Sequence, residues 1–261
     1  MRSALPGMPS AVHAEICAKF ESRFPLEDVS AAELALHLDL ENELRKCGEL
    51  TTAHSDVSQN PILSVWKRLS ENLKRTWNSA TDCKGEDTHV HHRLGPFVAP
   101  VFPGKDFEVI WANKQIEGSQ ARREDCGREG YRPDLVIKKK GLAFLISEVK
   151  PPEHDDNVDD YVADLWKLVI LMKDQIDHEL DGGAEKTFMF GLHVFGYKAD
   201  LWVMDLELEG IYHLYHVGEA CLPRYQRDTG GVRYVTQLFF SIKVCAYVQC
   251  KALSLLFPSL P

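Results

Sequence analysis

The sequence predicts an α/β protein in which helices cover a central sheet, preceded by a helical N-terminal region. Two segments, 61–77 and 157–180, carry apolar residues at helical spacing, and strand-like runs rich in β-branched and aromatic residues lie between and after them. The 261 residues, 44% hydrophobic and 26% charged, suffice for one large or two small domains. This composition excludes a disordered chain, a collagen and a disulfide-dense scaffold.

The first third of the chain is helical in pattern. Residues 12–48 contain two helix-compatible runs, and Ser30 with Glu33 is typical of a capping box at the start of the second run. Pro61 suits the first turn of the next helix. We therefore divide the chain into a helical N-terminal region over 1–58 and a main domain over 59–261.

A long loop is predicted over 78–105, because this segment is rich in Gly, Pro and His and has no clear period. Three strands are expected after it, within 106–116, 131–137 and 142–149.

A long helix is predicted over 157–180, ended by Gly182 and Gly183. Its apolar stripe is expected to face the core and comprises Val162, Leu165, Trp166, Val169, Met172, Ile176 and Leu180.

The last third of the chain is predicted to hold three more strands, within 188–197, 200–207 and 210–217. The tail over 232–256 is long enough to favour a helix over a strand.

Charge and cysteine content limit the function classes. The 30 Lys and Arg against 39 Asp and Glu give a net charge of -9, so a nucleic-acid contact needs a local basic surface. Such a cluster exists, and it is either a DNA-tracking surface or a solvated turn; its members are Arg122, Arg123, Arg128, Arg132 and Lys138 to Lys140. The seven scattered cysteines form no Cys-x-x-Cys pair, which predicts a reducing, intracellular compartment, nuclear or cytoplasmic. No apolar run approaches a membrane span, so no membrane association is expected.

Three ionisable residues interrupt two otherwise apolar strands. Asp134 lies near the start of one strand, and Glu148 and Lys150 lie at the end of the next. A three-residue turn at 139–141 would pair Asp134 with Ile146. In that register all three ionisable side chains share one face, and the two carboxylates lie diagonally across the hairpin, within reach of one divalent cation.

Pro133-Asp134, followed by Glu148-Val149-Lys150 on the next strand, resembles the motif of the PD-(D/E)XK nuclease superfamily. The predicted order of helix, three strands, helix and strand over residues 60–217 resembles that family's αβββαβ core. The resemblance implies a restriction-endonuclease-like fold, with a mixed central sheet flanked by helices. The chain is also similar to a group of uncharacterised fungal proteins with this nuclease-like core, some linked to mobile elements, which specifies no substrate.

The resemblance implies a site for Mg²⁺ or Mn²⁺ that is held by Asp134, Glu148 and the backbone carbonyl of Val149. Lys150 then orients or deprotonates the attacking water. The chemistry is consistent, because phosphodiester cleavage needs a cation to neutralise charge on the phosphate and an activated water. The chain is therefore expected to be a metal-dependent nuclease, with DNA favoured over RNA as substrate.

Substrate phosphate is expected to meet Lys167, on the helix after the third strand, and Arg132 in the basic cluster. Lys173 and Gln175 are weaker alternatives to Lys167. A solvated helix border is an equally good interpretation of each helix residue.

The family often adds an acidic ligand from its first core helix, and the sequence leaves this ligand open. Glu71 lies opposite the apolar face of the 61–77 helix, which indicates a solvated residue. Glu41, Glu43 and Glu86 remain candidates. Without a third acid, the alternative hypothesis gains weight: a catalytically inactive nuclease-fold adaptor or effector that binds a protein or nucleic-acid partner.

Histidines at 89, 91 and 92, with Cys83 upstream, offer ligand types that zinc prefers. Adjacent histidines in a polar loop are more often incidental, so this second metal reading stays an alternative.

Overall fold

The computed structural model has a six-stranded mixed sheet flanked by helices, with further helices before the first strand, which confirms the α/β class. The residues that the structure describes are 18, 22, 24, 30–47, 50, 60–76, 85–112, 114–124, 126–154, 157–184, 187–208, 210–224 and 228–256. The helical elements are α1 (Ala31–Cys47), α2 (Pro61–Thr76), α3 (Glu86–His89), a π-helical turn (Val90–Leu94), α4 (Gly95–Val101), α5 (Glu117–Glu124), a 3₁₀ turn (Pro152–His154), α6 (Val158–Asp181) and α7 (Val232–Leu256). The strands are β1 (Glu108–Trp111), β2 (Leu135–Lys139), β3 (Leu142–Lys150), β4 (Phe188–Phe195), β5 (Lys198–Leu208) and β6 (Ile211–Cys221).

Side-chain caps fix where the main helices begin. At α1 the backbone N–H groups of Ser30 and Glu33 donate to each other's side chains, at 3.0 and 3.2 Å, which confirms the capping box. The Asn60 side-chain oxygen accepts from the Ile62 N–H at 2.9 Å at the start of α2, and Asn157 caps α6 in the same way. The earlier helix-compatible run, before residue 29, lies almost wholly outside the described residues.

The predicted loop over 78–105 is wrong over 86–101, where α3, the π-helical turn and α4 follow one another. Residues 78–84 lie outside the described part of the chain. Apolar residues from these short helices are buried in the core, among them Val90, Leu94, Phe97 and Val101. Because the segment is enclosed, it has no continuous polar face, and the usual helical period is missing from its sequence.

The strands lie in the sheet in chain order, from β1 to β6. Neighbouring strands are antiparallel except β3 and β4, which run parallel and are connected by α6. β1 is shorter than predicted, and the chain between β1 and β2 forms α5, which the sequence did not predict. Gly118 of α5 approaches α6 so closely that a Cβ there would lie 2.3 Å from the Asp174 carbonyl oxygen.

The β2–β3 hairpin departs from the predicted register. Leu135 pairs with Ser147, so Asp134 lies opposite Glu148, and the predicted pairing of Asp134 with Ile146 is wrong. The turn has two residues at positive φ, Lys140 and Gly141, and a bulge follows, which together shift the register by two positions. A shift of two keeps every side chain on its predicted face of the sheet.

Helices cover both faces of this sheet. On one face, Leu168, Leu171, Met172 and Ile176 of α6 are buried against the strands. On the other, α1, α2, α4 and α7 contribute to a larger apolar cluster. No helix among the described residues has the length and apolar character needed to cross a membrane.

The predicted apolar stripe of α6 is wrong in its first half, where Val162 is 56% exposed and Trp166 is 65% exposed. There α6 turns Tyr161, Asp164 and Lys167 toward the sheet instead. The reason is that this part of the sheet carries polar side chains, which need polar partners.

Candidate active site

A row of polar side chains crosses the sheet on the face that α6 covers. Glu148 on β3 lies opposite His193 on β4, which lies opposite Asp200 on β5, and Asp200 lies opposite Glu219 on β6. Asp134, directly before β2, extends the row beyond Glu148. Cross-strand partners project from the same face, so the topology brings together residues that are far apart in sequence.

The first part of the row is a cluster of carboxyl groups at the end of β3. Asp134 hydrogen-bonds with Glu86 from the first turn of α3, and its Oδ2 accepts from the Val149 N–H at 2.7 Å. Glu148, 2% exposed, interacts electrostatically with Asp134 and with Asp164 of α6. Four carboxyl groups therefore share one partly enclosed site.

Two lysines compensate part of this charge. Lys150 Nζ lies 3.3 Å from Glu86 Oε2 and 3.7 Å from Asp164 Oδ2. Lys167 Nζ donates to Glu148 Oε2 at 2.6 Å. Two ammonium groups cannot neutralise four ionised carboxyl groups, so the site takes up further positive charge, as protons or as a metal ion.

Asp134 and Glu148 keep their protons to a higher pH than carboxyl groups usually do. Burial raises the pKa of Asp134 to about 8, helped by its hydrogen bond with Glu86 and by the charge of Glu148. Burial also raises the pKa of Glu148 to about 7, against the opposing effect of Lys167. Burial acts to raise the pKa of Glu86 as well, but hydrogen bonds from Asp134 and Lys150 outweigh it and lower that pKa. Asp134 therefore carries the proton that it shares with Glu86.

Lys150 is a charged donor in this environment. Burial alone would lower the pKa of its ammonium group, but the carboxylates of Glu86 and Asp164 outweigh burial and raise it above the usual value. A lysine in this state donates hydrogen bonds and is a poor proton acceptor.

The donor atoms available here suit a hard divalent cation. Glu148 Oε1 is buried and has no hydrogen-bond partner among the described residues. The Val149 N–H points to the β2 side, whereas the Lys150 carbonyl accepts from Gly196 N–H on the β4 side at 2.9 Å. Because backbone groups alternate along a strand, the Val149 carbonyl points to the side of Asp134. Carboxylate and carbonyl oxygens are the ligands that Mg²⁺ and Mn²⁺ prefer.

The structure brings together Asp134, Glu148, Val149, Lys150 and Lys167, all of them candidates from the sequence. Arg132 is placed differently. Its guanidinium group pairs with Glu129 at 3.0 Å, and only its backbone carbonyl lies near Lys167, at 3.4 Å.

Of the three acids left open by the sequence, Glu86 is at the site. Glu41 instead pairs with Arg45 at 2.6 Å, Glu43 lies on α1, and Glu71 is exposed as predicted. The weaker phosphate candidates lie elsewhere on α6, since Lys173 pairs with Asp177 and Gln175 bonds to Glu179 and Gly118.

Most of the basic cluster is engaged within the protein. Arg122 pairs with Asp174 at 2.7 Å and Lys138 with Glu117. Arg123 lies over the Tyr131 ring and Lys139 over Tyr247. These contacts favour a structural role for much of the cluster over a DNA-tracking surface.

The predicted zinc alternative gains no support from the described histidines. His89 is buried with Nε2 2.7 Å from the Gly196 carbonyl, and burial lowers its pKa to about 4. His91 packs against the Trp111 ring. Cys83 lies outside the described residues.

The far end of the polar row holds a second group that could bind a metal ion. Donor atoms of Asp200, His216 and Glu219 all lie within 4.8 Å of one another. Among the described residues no other three such donors lie so close together, and the carboxyl groups at the end of β3 are spaced more widely. Sequence reasoning missed these residues and Asp164. Two features of the sequence could have indicated them. Asp200, His216 and Glu219 are polar residues within apolar strands, and Asp164 and Lys167 are three residues apart and so share one helix face.

Comparison with known proteins identifies no relative: no protein-family model, curated protein or solved structure matches this chain.

Proposed function

We propose that this chain is a metal-dependent nuclease-like protein that hydrolyses phosphodiester bonds, and that its core is of the restriction-endonuclease-like type. The observation that carries the proposal is the convergence of four carboxyl groups at the end of β3, two of them buried, with the pKa of Asp134 raised to about 8 and that of Glu148 to about 7. Perturbed acids that converge in a cleft are typical of functional sites.

In this proposal Glu86, Asp134, Glu148 and the Val149 carbonyl hold one Mg²⁺ or Mn²⁺ ion. When bound, such an ion neutralises charge that develops on the phosphate and lowers the pKa of a bound water. Glu148 Oε1 has no hydrogen-bond partner among the described residues, so it is the oxygen most clearly available to bind the ion.

The two lysines act on the substrate side. Because its pKa is raised, Lys150 orients the attacking water and donates to a phosphate oxygen, rather than removing a proton. Lys167 exchanges its contact with Glu148 for the substrate phosphate. DNA is the first substrate to test, ahead of RNA.

The test is cleavage of labelled single-stranded and duplex DNA and RNA with Mg²⁺, Mn²⁺ or EDTA. We expect metal-dependent cleavage that Asp134→Asn and Glu148→Gln reduce by about 100-fold or more. Glu179→Gln is the matched control, because Glu179 is also a buried acid of the sheet-facing layer but bonds to Thr187, away from the site. Cleavage at normal rate by both site variants, or by protein in EDTA, would refute the assignment.

A second candidate function is supported by the ion pairs themselves. Lys150 and Lys167 already bond to Glu86, Asp164 and Glu148, an arrangement that is stable without metal. It would suit an inactive adaptor that uses the fold to bind a partner. Calorimetric titration with Mn²⁺ separates the two: the nuclease proposal expects binding that Asp134→Asn weakens about tenfold or more. No binding at millimolar Mn²⁺, together with no cleavage, would favour the adaptor.

A further inference from the structure

We propose that Asp200, His216 and Glu219 form a second metal site, specific for a transition metal of the Zn²⁺ class, on the outer strands of the sheet. This inference does not depend on the proposed nuclease activity, because it uses a different set of side chains at the other end of the polar row.

An irregularity in strand pairing assembles the three ligands. Asp200 pairs with Glu219, whereas Trp202 pairs with His216, so β6 contains one extra residue between the two pairs. In a regular strand, residues three apart project to opposite faces. The bulge therefore brings His216 and Glu219 to the same face, next to Asp200, and bulges of this kind often position functional side chains.

The donor set favours a transition metal. His216 Nε2 lies 3.1 Å from Asp200 Oδ1, and the Glu219 carboxylate is within 4.8 Å of both. Imidazole nitrogen and carboxylate oxygen are both ligands that zinc accepts, and zinc sites with three protein ligands keep a fourth position for water or another ligand. An imidazole nitrogen discriminates against Mg²⁺, which prefers oxygen ligands.

A lysine already shows that these carboxylates attract a positive charge. Lys198 Nζ lies 3.1 Å from Asp200 Oδ1 and 3.0 Å from Glu219 Oε2. Its side chain is 49% exposed, so its flexible stem can move into solvent when a metal ion binds. Asp200, by contrast, is 2% exposed and provides a fixed anchor.

An independent observation at the same place is an unsatisfied histidine. His193 is fully buried opposite Asp200, and neither ring nitrogen has a hydrogen-bond partner among the described residues. Its ring packs against Tyr161, whose hydroxyl is 3.5 Å from Asp200 Oδ2. A buried polar group without a partner is unfavourable, and a metal-bound water beside Asp200 would provide one.

The site is also accessible. Tyr161, Lys198 and Glu219 line a pocket of about 860 Å³ that continues toward Arg224 and Tyr234. Of the three proposed ligands, Glu219 lines this pocket, so a small ligand could approach the metal ion from the Glu219 side.

The test is calorimetric titration of the full-length, metal-free protein with Zn²⁺, with Co²⁺ absorption spectra as a second readout. We expect one ion per chain at this site, with binding weakened about tenfold or more by His216→Ala and by the isosteric Asp200→Asn. Lys198→Met should strengthen binding by about two- to fivefold, because it removes a competing cation from an exposed ion pair.

His213→Ala is the matched control. His213 lies on the same strand and contacts Asp205 at 3.2 Å, but it belongs to no group of three ligands among the described residues. Its replacement should leave Zn²⁺ binding unchanged.

Several results would overturn the proposal. These are unchanged binding in both His216→Ala and Asp200→Asn, equal weakening by His213→Ala, or Co²⁺ bands typical of thiolate ligands. Loss of binding in Asp134→Asn alone would assign the ion to the carboxyl cluster instead. Absence of nuclease activity would not affect the interpretation of these Zn²⁺ measurements, so the two proposals can be refuted separately.

Discussion

Replacing Asp134 by Asn is expected to stabilise the metal-free protein at alkaline pH while weakening the binding of Mn²⁺ to the carboxyl cluster about tenfold or more. An asparagine reproduces the protonated form of Asp134: its amide donates to Glu86, and its oxygen accepts from the Val149 N–H. The variant therefore keeps the local hydrogen bonds and removes the buried charge.

The magnitude follows from the pKa of Asp134. Because the folded-state pKa is raised to about 8 from a usual value of 3.8, the folded protein binds a proton that the unfolded chain releases. The free energy of unfolding therefore falls as pH rises from about 4 to about 8. At ~1.4 kcal/mol per pH unit, the release of this proton on unfolding lowers the free energy of unfolding by at most about 5 kcal/mol at pH 8 and about 2 kcal/mol at pH 5.

Effects of the substitution that do not involve ionisation are the same at both pH values, so they cancel in the comparison. The benefit of Asp134→Asn should be larger at pH 8 than at pH 5, by at most roughly 3–4 kcal/mol. This is an upper limit, because water and side-chain movement solvate part of the charge.

Urea unfolding at both pH values, in EDTA and then in Mn²⁺, measures the effect. Mn²⁺ should stabilise the wild-type protein by mass action more than it stabilises the variant. The reasoning is refuted if the change in unfolding free energy caused by Asp134→Asn is the same at pH 5 and pH 8, or if Mn²⁺ stabilises both proteins equally.

Three further predictions concern other parts of the molecule. Lys150→Met should lower any cleavage rate by about 100-fold and change the Mn²⁺ affinity by no more than a few-fold from wild type, as measured by single-turnover kinetics and by calorimetry. Cleavage at the normal rate would show that Lys150 has no part in the mechanism. Gly118→Ala should destabilise the fold by about 2 kcal/mol or more, because its Cβ would clash with the α6 backbone, whereas Gly104→Ala, in open space, should cost far less in urea unfolding. Trp166→Ala should change stability by less than about 1 kcal/mol and Leu168→Ala should cost about 3 kcal/mol; equal costs would contradict the orientation of α6.

Local signals in the sequence determined much of the framework. The capping box at Ser30 predicted the start of α1, and Gly182 and Gly183 predicted the end of α6. The face shared by Asp134 and Glu148 was predictable although the register was not. The Lys140-Gly141 turn and the bulge shift the register by two residues. Because side chains alternate with a period of two, this shift leaves each of them on the same face of the sheet.

Tertiary structure alone decided what completes each site. Glu86 reaches Asp134 because α3 packs beside β3, a contact between segments that no local pattern connects. The polar face of α6 could not be predicted for the same reason. Trp166 is a residue type that is usually buried, but it is exposed because the sheet beneath that half of the helix is polar. His216 and Glu219 share a face only because of a bulge in β6. Caps, turns and alternation are encoded within a few residues, whereas these contacts depend on which surfaces the folded chain brings together.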